Sequence, residues 1–116
     1  MLYAQLVLIA FFSLASSIKI FGWLPAVFEK QLMFFKRYGL NRLVMFLVGV
    51  IEAIGVILMI LGFTTSSPIF NLLGAGLIAV TSIGAMFFHF RFDTWKDAIP
   101  SMVTLVLSSW VLFASF

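Results

Sequence analysis

Charged residues interrupt this chain at only a few places, and the apolar stretches between them are long. Residues 1–18, 53–90 and 98–116 contain no Asp, Glu, Lys or Arg. A helix that spans a bilayer needs about 20 mostly apolar residues, so each stretch can contain at least one such helix. A sheet with an open edge cannot lie in lipid. The pattern therefore predicts an integral membrane protein built from helices.

The longest apolar stretch contains a predicted turn. Residues 62–68 read Gly-Phe-Thr-Thr-Ser-Ser-Pro. Glycine is typical of the position after a helix and proline stops a helix, so we expect Gly62 to cap one helix before the chain folds back. The fold class is then all-α, a four-helix membrane bundle in one domain, residues 1–116. Its predicted helices span about Leu2–Gly22, Arg42–Leu61, Ile69–Phe90 and Ala98–Phe116.

The connection between the first two membrane helices has a helical pattern of its own. Pro25 suits the first turn of a helix and Gly39 suits its end. Apolar and charged residues alternate at helical spacing over residues 25–38. This pattern predicts a short amphipathic helix in the cytoplasmic interface. A helical connector packed under the bundle explains the same pattern equally well.

Composition agrees with a membrane location and excludes several functions. Hydrophobic residues make up 64% of the chain and charged residues 9%, against roughly 45–50% and 25% in soluble domains. A soluble domain this small could not bury so much apolar surface, which excludes a soluble enzyme and a nucleic-acid-binding domain. There are no cysteines, and no metal-ligand spacing or nucleophile triad occurs. We therefore expect no catalytic residues and no metal site.

The basic residues predict the orientation. Every Lys and Arg lies in or beside the first and third connections, and the second connection has none. By the positive-inside rule this face is cytoplasmic. We expect a multi-pass protein of a bacterial cytoplasmic (inner) membrane with both termini outside. No basic residue precedes Lys19, so the first helix is expected to be retained rather than cleaved as a signal peptide. The predicted interface residues are Lys36, Arg37, Tyr38, Arg42 and Arg91.

Each predicted membrane helix carries one stripe of small or polar residues at helical spacing. Small residues let helices approach closely in lipid and polar side chains link them, so we expect the four stripes to converge on the bundle axis. Gly74, Gly76 and Gly84 of the third helix are expected to be close-packing positions. The stripes are Gln5, Leu8, Phe12, Ala15, Ser16 and Lys19; Met45, Val48, Gly49, Glu52, Gly55, Val56 and Met59; Asn71, Ala75, Ile78, Ser82, Ala85 and His89; and Ser101, Thr104, Ser108, Val111 and Ser115.

Glu52 is the most informative residue of these stripes. It lies ten positions into the second helix, about 15 Å from the helix start. A charged acid there costs on the order of 2.5–3.5 kcal/mol, so Glu52 is expected to be paired, protonated or functional. Lys19 of the first helix can either extend its ammonium outward to water or reach inward toward Glu52, and the sequence favours neither. A ligand or proton site and a purely structural ion pair both explain the two residues. The predicted pocket is lined by Ser16, Lys19, Gly49, Glu52, Ser82 and His89.

Several short segments occur in an order that resembles the DoxX-like family of small four-helix membrane proteins. They are Lys19 late in the first helix, Lys-Arg-Tyr-Gly-Leu at 36–40, Gly-Val-Ile-Glu-Ala-Ile-Gly at 49–55, and Gly-Ala-Met-Phe-Phe-His-Phe-Arg at 84–91. The resemblance implies a subunit or partner of a quinone-linked oxidoreductase, such as the thiosulfate:quinone type. A eukaryotic branch of the family includes NACHO, a membrane chaperone for acetylcholine receptors, so a NACHO-like chaperone is an alternative that the resemblance implies.

Two classes of function follow. The first is a membrane subunit or assembly protein whose polar pocket holds a quinone-like or lipid-like ligand. A quinone is then the one cofactor to expect, and the partners are the bilayer, an oxidoreductase, a client membrane protein or a second copy. The alternative is a small proton-coupled exporter of the four-helix multidrug type. Such an exporter needs its acid free for a cation, so a short distance between Lys19 and Glu52 would count against it.

Overall fold

The computed structural model describes residues 2–115, and these residues form five helices without a strand. The helices are α1 (Leu2–Phe21), α2 (Pro25–Arg37), α3 (Arg42–Thr65), α4 (Pro68–Phe92) and α5 (Ile99–Ala114). The predicted all-α fold class is confirmed, with α2 as the short amphipathic helix. Helices α1, α3 and α4 are long and apolar enough to span a membrane, whereas α5 is apolar but has 16 residues.

Helices α1, α3, α4 and α5 run alternately up and down. Helix α3 packs between α1 and α4, and α5 packs against α4 and reaches α1, which closes the bundle. Large side chains that point outward stay exposed, such as Val80 at 66% and Val106 at 67%. In water this outer surface would be costly, and hydrocarbon solvates it at no such cost.

The predicted stripes do converge on the bundle axis. In the core, Leu8 of α1, Met45 and Met59 of α3, Ile78 of α4 and Val111 of α5 are fully buried. Nearly every other stripe position is buried beside them, and Val48, Ala85, His89 and Ser115 are the partly exposed exceptions. The buried polar residues are Gln5, Ser16, Lys19, Glu52, Asn71, Ser82, Ser101, Thr104 and Ser108.

The turn between α3 and α4 is shorter than predicted, and the expectation that Gly62 caps α3 is wrong. Helix α3 continues to Thr65 and ends at Ser66, which has a φ of 54°. The hydroxyls of Thr64 and Thr65 donate to backbone carbonyls one turn earlier, so these residues are satisfied within the helix. Gly62 is instead a packing position. A Cβ atom there would lie 2.5 Å from Oδ1 of Asn71.

Helix α2 contains no buried residue. Contacts with side chains of the neighbouring helices attach it to one end of the bundle. The guanidinium of Arg42 donates to the backbone carbonyls of Lys19 at 2.6 Å and Ile20 at 3.1 Å. It also lies 5.0 Å from the ring centre of Phe28 in α2. The last carbonyls of a helix lack partners within the helix, and a cation stabilises them. Arg42 therefore ties the end of α1, the start of α3 and α2 together.

Candidate functional site

A buried ion pair joins α1 to α3. Nζ of Lys19 lies 2.9 Å from Oε1 of Glu52, and the two side chains are 11% and 6% exposed. Lys19 is in the last turn of α1, whereas Glu52 is ten residues into α3, about 15 Å from its start. The lysine thus reaches inward to the acid rather than outward to water.

The pair is close because a glycine lets the two helices approach. A Cβ atom on Gly49 would lie 2.7 Å from Cβ of Lys19 and 3.3 Å from the carbonyl oxygen of Ser16. Gly49 is three residues before Glu52, so α1 and α3 approach closely directly beside the ion pair. Four of the six predicted pocket residues therefore meet in one layer of the bundle. We call Ser16, Lys19, Gly49 and Glu52 the polar layer.

Glu52 retains unused hydrogen-bonding capacity. Its Oε1 is buried, and among residues 2–115 the ammonium of Lys19 at 2.9 Å is the polar contact that the structure gives it. An ionised carboxylate can accept about four hydrogen bonds, and an ammonium can donate three. A buried charge is stable only when such capacity is largely met. The layer thus has both acceptor and donor capacity for a polar group.

The structure places Ser82 in a different contact. Its Oγ lies 2.7 Å from Oγ1 of Thr104 on α5, and both residues are buried. This hydroxyl pair links α4 to α5. Ser82 is therefore a helix-packing residue in this structure, with its partner on α5 rather than on α1 or α3.

His89 lies in a second polar cluster, at the junction of α2 and α4. Nδ1 of His89 is 2.9 Å from Oδ2 of Asp93, and the hydroxyl of Tyr38 donates to the same oxygen at 2.5 Å. Arg37 forms an ion pair with Oδ1 of Asp93. The Asp93 side chain is fully buried by these contacts. We call Arg37, Tyr38, His89 and Asp93 the junction cluster.

Burial and hydrogen bonding shift the pKa values in the junction cluster. Burial, together with the hydrogen bond to Asp93, raises the pKa of the Tyr38 phenol, so it stays protonated and donates. Burial alone would raise the pKa of Asp93. Hydrogen bonds from Tyr38, His89 and Arg37 outweigh burial and hold the pKa of Asp93 below its ordinary value. Asp93 is therefore a carboxylate, and it joins α2 to α4.

Sequence reasoning did not identify Asp93 as part of a site. The available signal was its position four residues after His89, which places both on one helical face. Arg37 and Tyr38 were predicted as interface residues, but nothing in the sequence pairs them with Asp93 across more than fifty positions. The ring of Tyr38 also stacks on Phe88 at 4.9 Å between centroids. The aromatic contact and the buried carboxylate together explain the position of α2.

Two cavities lie away from the polar layer. One, of about 430 Å³, is at the opposite end of the bundle and is lined in part by Gln5, Gly62 and Asn71. There Nε2 of Gln5 donates to Oδ1 of Asn71 at 2.9 Å. The other, of about 560 Å³, lies between α4 and α5. In the part of the chain that the structure describes, no three His, Asp or Glu side chains are placed to hold a metal ion.

Comparison with known proteins assigns the family. The model of the DoxX-like family matches residues 3–111, a range that contains the polar layer, the junction cluster and most of all five helices. No curated protein and no solved structure matches the chain. The resemblance noted in the sequence is confirmed, since the match covers nearly the whole chain. This multi-pass membrane protein belongs to the DoxX-like family.

Proposed function

We propose that the chain is a membrane subunit or assembly protein that supports a partner rather than carrying a catalytic site of its own. In this proposal the polar layer holds the polar group of a quinone-like or lipid-like ligand. The observation that supports the proposal is the buried contact of 2.9 Å between Lys19 and Glu52. An ionisable pair inside a membrane bundle is costly, and such residues usually serve a function.

The chemistry of the pair fits a quinone. An ammonium only donates hydrogen bonds and a carboxylate only accepts them. Lys19 can therefore donate to a quinone carbonyl, and Glu52 can accept from a quinol hydroxyl. Electron transfer would belong to the quinone and to a partner oxidoreductase. The role of this chain would be to bind and orient the ligand or to assemble a partner protein. That partner would be either the oxidoreductase or another client membrane protein.

The alternative of a proton-coupled exporter is disfavoured by the same contact. An exporter of this type exchanges a proton on its acid for a cationic substrate. Here an ammonium already lies beside the carboxylate of Glu52, and it would compete with any other cation for that position. The geometry therefore favours a site for a neutral polar or zwitterionic group over a site for a cation.

The binding proposal can be tested with a short-chain ubiquinone analogue. We expect the wild-type protein in mild detergent to bind it, and Glu52→Gln and Lys19→Met to bind it about tenfold more weakly, because each loses a charge-assisted hydrogen bond. Quenching of tryptophan fluorescence measures the affinity. The same samples analysed by mass spectrometry show which small molecules co-purify.

Ser108→Ala is the matched control for these variants. Ser108 is fully buried in α5, and its hydroxyl donates to the carbonyl of Leu105 in the same helix. It lies outside the polar layer, so this variant should retain the wild-type affinity. If Glu52→Gln and Lys19→Met bind the analogue and retain co-purifying molecules as the wild type does, the polar layer is not the binding site.

We further propose that both termini face outward and that α2 lies on the cytoplasmic side, because the basic residues collect at that end. The chain has no cysteine, so single cysteines can report the topology. In intact cells an impermeant thiol reagent should label Ser66→Cys in the α3–α4 turn but not Lys36→Cys in α2. Both positions are exposed. Labelling of Lys36→Cys alone would reverse the assignment.

A further inference from the structure

An apolar groove runs along the outer face of the bundle where α4 packs against α5. Its volume is about 560 Å³, within the range of about 300–1,000 Å³ typical of small-molecule sites. Phe87 and Phe90 on its rim are 58% and 52% exposed, so the groove opens to the surroundings of the bundle rather than to its axis. Its lining residues are Ile83, Met86, Phe87, Phe90, Arg91 and Leu105.

Arg91 is the one charged residue of this lining. It lies in the last turn of α4, at the end of the bundle that carries the basic residues. Among residues 2–115 it forms no ion pair, and its guanidinium contacts the ring of Phe92 at 5.4 Å. The groove therefore has an apolar length and a cationic end.

The acidic residues that follow Arg91 in the chain are already engaged. Asp93 is held by the junction cluster. Asp97 accepts hydrogen bonds from the backbone N–H and the hydroxyl of Thr94. Neither carboxylate neutralises Arg91, so the guanidinium remains available to an anion from outside the chain.

We propose that this groove is a binding site for an anionic phospholipid. The phosphate would bind the guanidinium of Arg91, and an acyl chain would lie along Phe87, Ile83 and Leu105 toward the bilayer centre. A guanidinium forms paired hydrogen bonds to phosphate oxygens, and the order of charge and apolar surface matches a phospholipid at a membrane interface. The site is on α4 and α5, apart from the polar layer between α1 and α3, so it does not depend on the proposed function.

Native mass spectrometry with defined lipids tests the proposal. Phosphatidylglycerol should bind about tenfold more tightly than phosphatidylcholine with the same acyl chains, since only the former carries a net negative charge. Arg91→Gln should remove this preference, and Arg91→Lys should retain part of it because the charge remains. Glycerol 1-phosphate, which has the anionic group without acyl chains, should not compete.

Lys96→Gln provides the matched control. Lys96 lies in the α4–α5 connection, five residues after Arg91, and contacts the ring of Trp95 at 6.0 Å, but it does not line the groove. Loss of the Lys96 charge should change the affinity for phosphatidylglycerol by less than about twofold, as expected of an exposed charge. An unchanged preference in Arg91→Gln overturns the proposal, as does competition by glycerol 1-phosphate, which would indicate a free-phosphate site. If Arg91→Gln changes the oligomeric state but not lipid binding, the groove is an interface between copies of the chain, and the lipid proposal is overturned.

Discussion

Replacing Glu52 with Gln is expected to destabilise the protein by up to about 3–5 kcal/mol, the cost of leaving a buried charge without its partner. Lys19→Met should be costly for the same reason, because it leaves the carboxylate of Glu52 alone in the bundle. The double variant should recover most of the lost stability. Thermal unfolding in detergent of the wild type, both single variants and the double variant measures the coupling between the two residues.

The stability and ligand content of the double variant, compared with the single variants, distinguish three roles of the ion pair. A double variant that recovers stability and keeps its co-purifying molecules would show that the pair is purely structural. A double variant that is stable but has lost them would show that the pair binds a ligand. If the effects of the single variants simply add, the two side chains do not interact, and the contact on which the polar layer depends would be wrong.

Gly74→Ala is expected to destabilise the bundle by about 1–3 kcal/mol through overpacking. A Cβ atom at Gly74 would lie 2.7 Å from the carbonyl oxygen of Gly55 and 2.9 Å from the backbone nitrogen of Met59. Both are backbone atoms of α3, so the clash cannot be relieved by turning a side chain. The two helices would have to separate. Thermal unfolding and the yield of folded protein in detergent measure the effect.

Gly76→Ala is the control for this variant, two residues farther along the same helix. A Cβ atom at Gly76 meets nothing within 4 Å. Because alanine favours a helix by up to about 1 kcal/mol over glycine, this variant should be neutral or more stable. If Gly74→Ala and Gly76→Ala lose equal stability, the close approach of α3 to α4 does not depend on Gly74.

The comparison of these glycines shows which part of the fold the sequence predicts. Helical periodicity identifies the buried face of each helix, because burial depends on the direction of a side chain around the helix axis. It correctly places Gly49 in a contact between helices, and the expectation of close packing at Gly74, made from the small size of glycine, is also correct. Gly76 and Gly84 were expected at close contacts too, but a Cβ atom on either meets nothing within 4 Å. Periodicity does not state how near the next helix lies.

In the candidate site too, properties within one helix could be predicted, whereas contacts between separate segments could not. The depth of Glu52 is a local property and could be predicted from its position in its helix, whereas the sequence favours neither direction for the side chain of Lys19. The partner of Ser82 on α5 and the contact of Tyr38 with Asp93 depend on how separate segments pack. Gly62 was misassigned because a glycine before a hydroxyl-rich segment is typical of a turn, whereas here the close approach of Asn71 requires it.

The junction cluster determines how α2 is held. Because its folded-state pKa is lowered, Asp93 contributes stability at pH values above the ordinary pKa of an aspartate, and that contribution is lost only as the pH falls through the lowered value. The ion pair with Arg37 is therefore present throughout the neutral range. A surface helix bound only by lipid would shift with the headgroup charge of the bilayer. Here protein contacts fix α2 against the end of α4, so we expect its position relative to the bundle not to follow the headgroup charge.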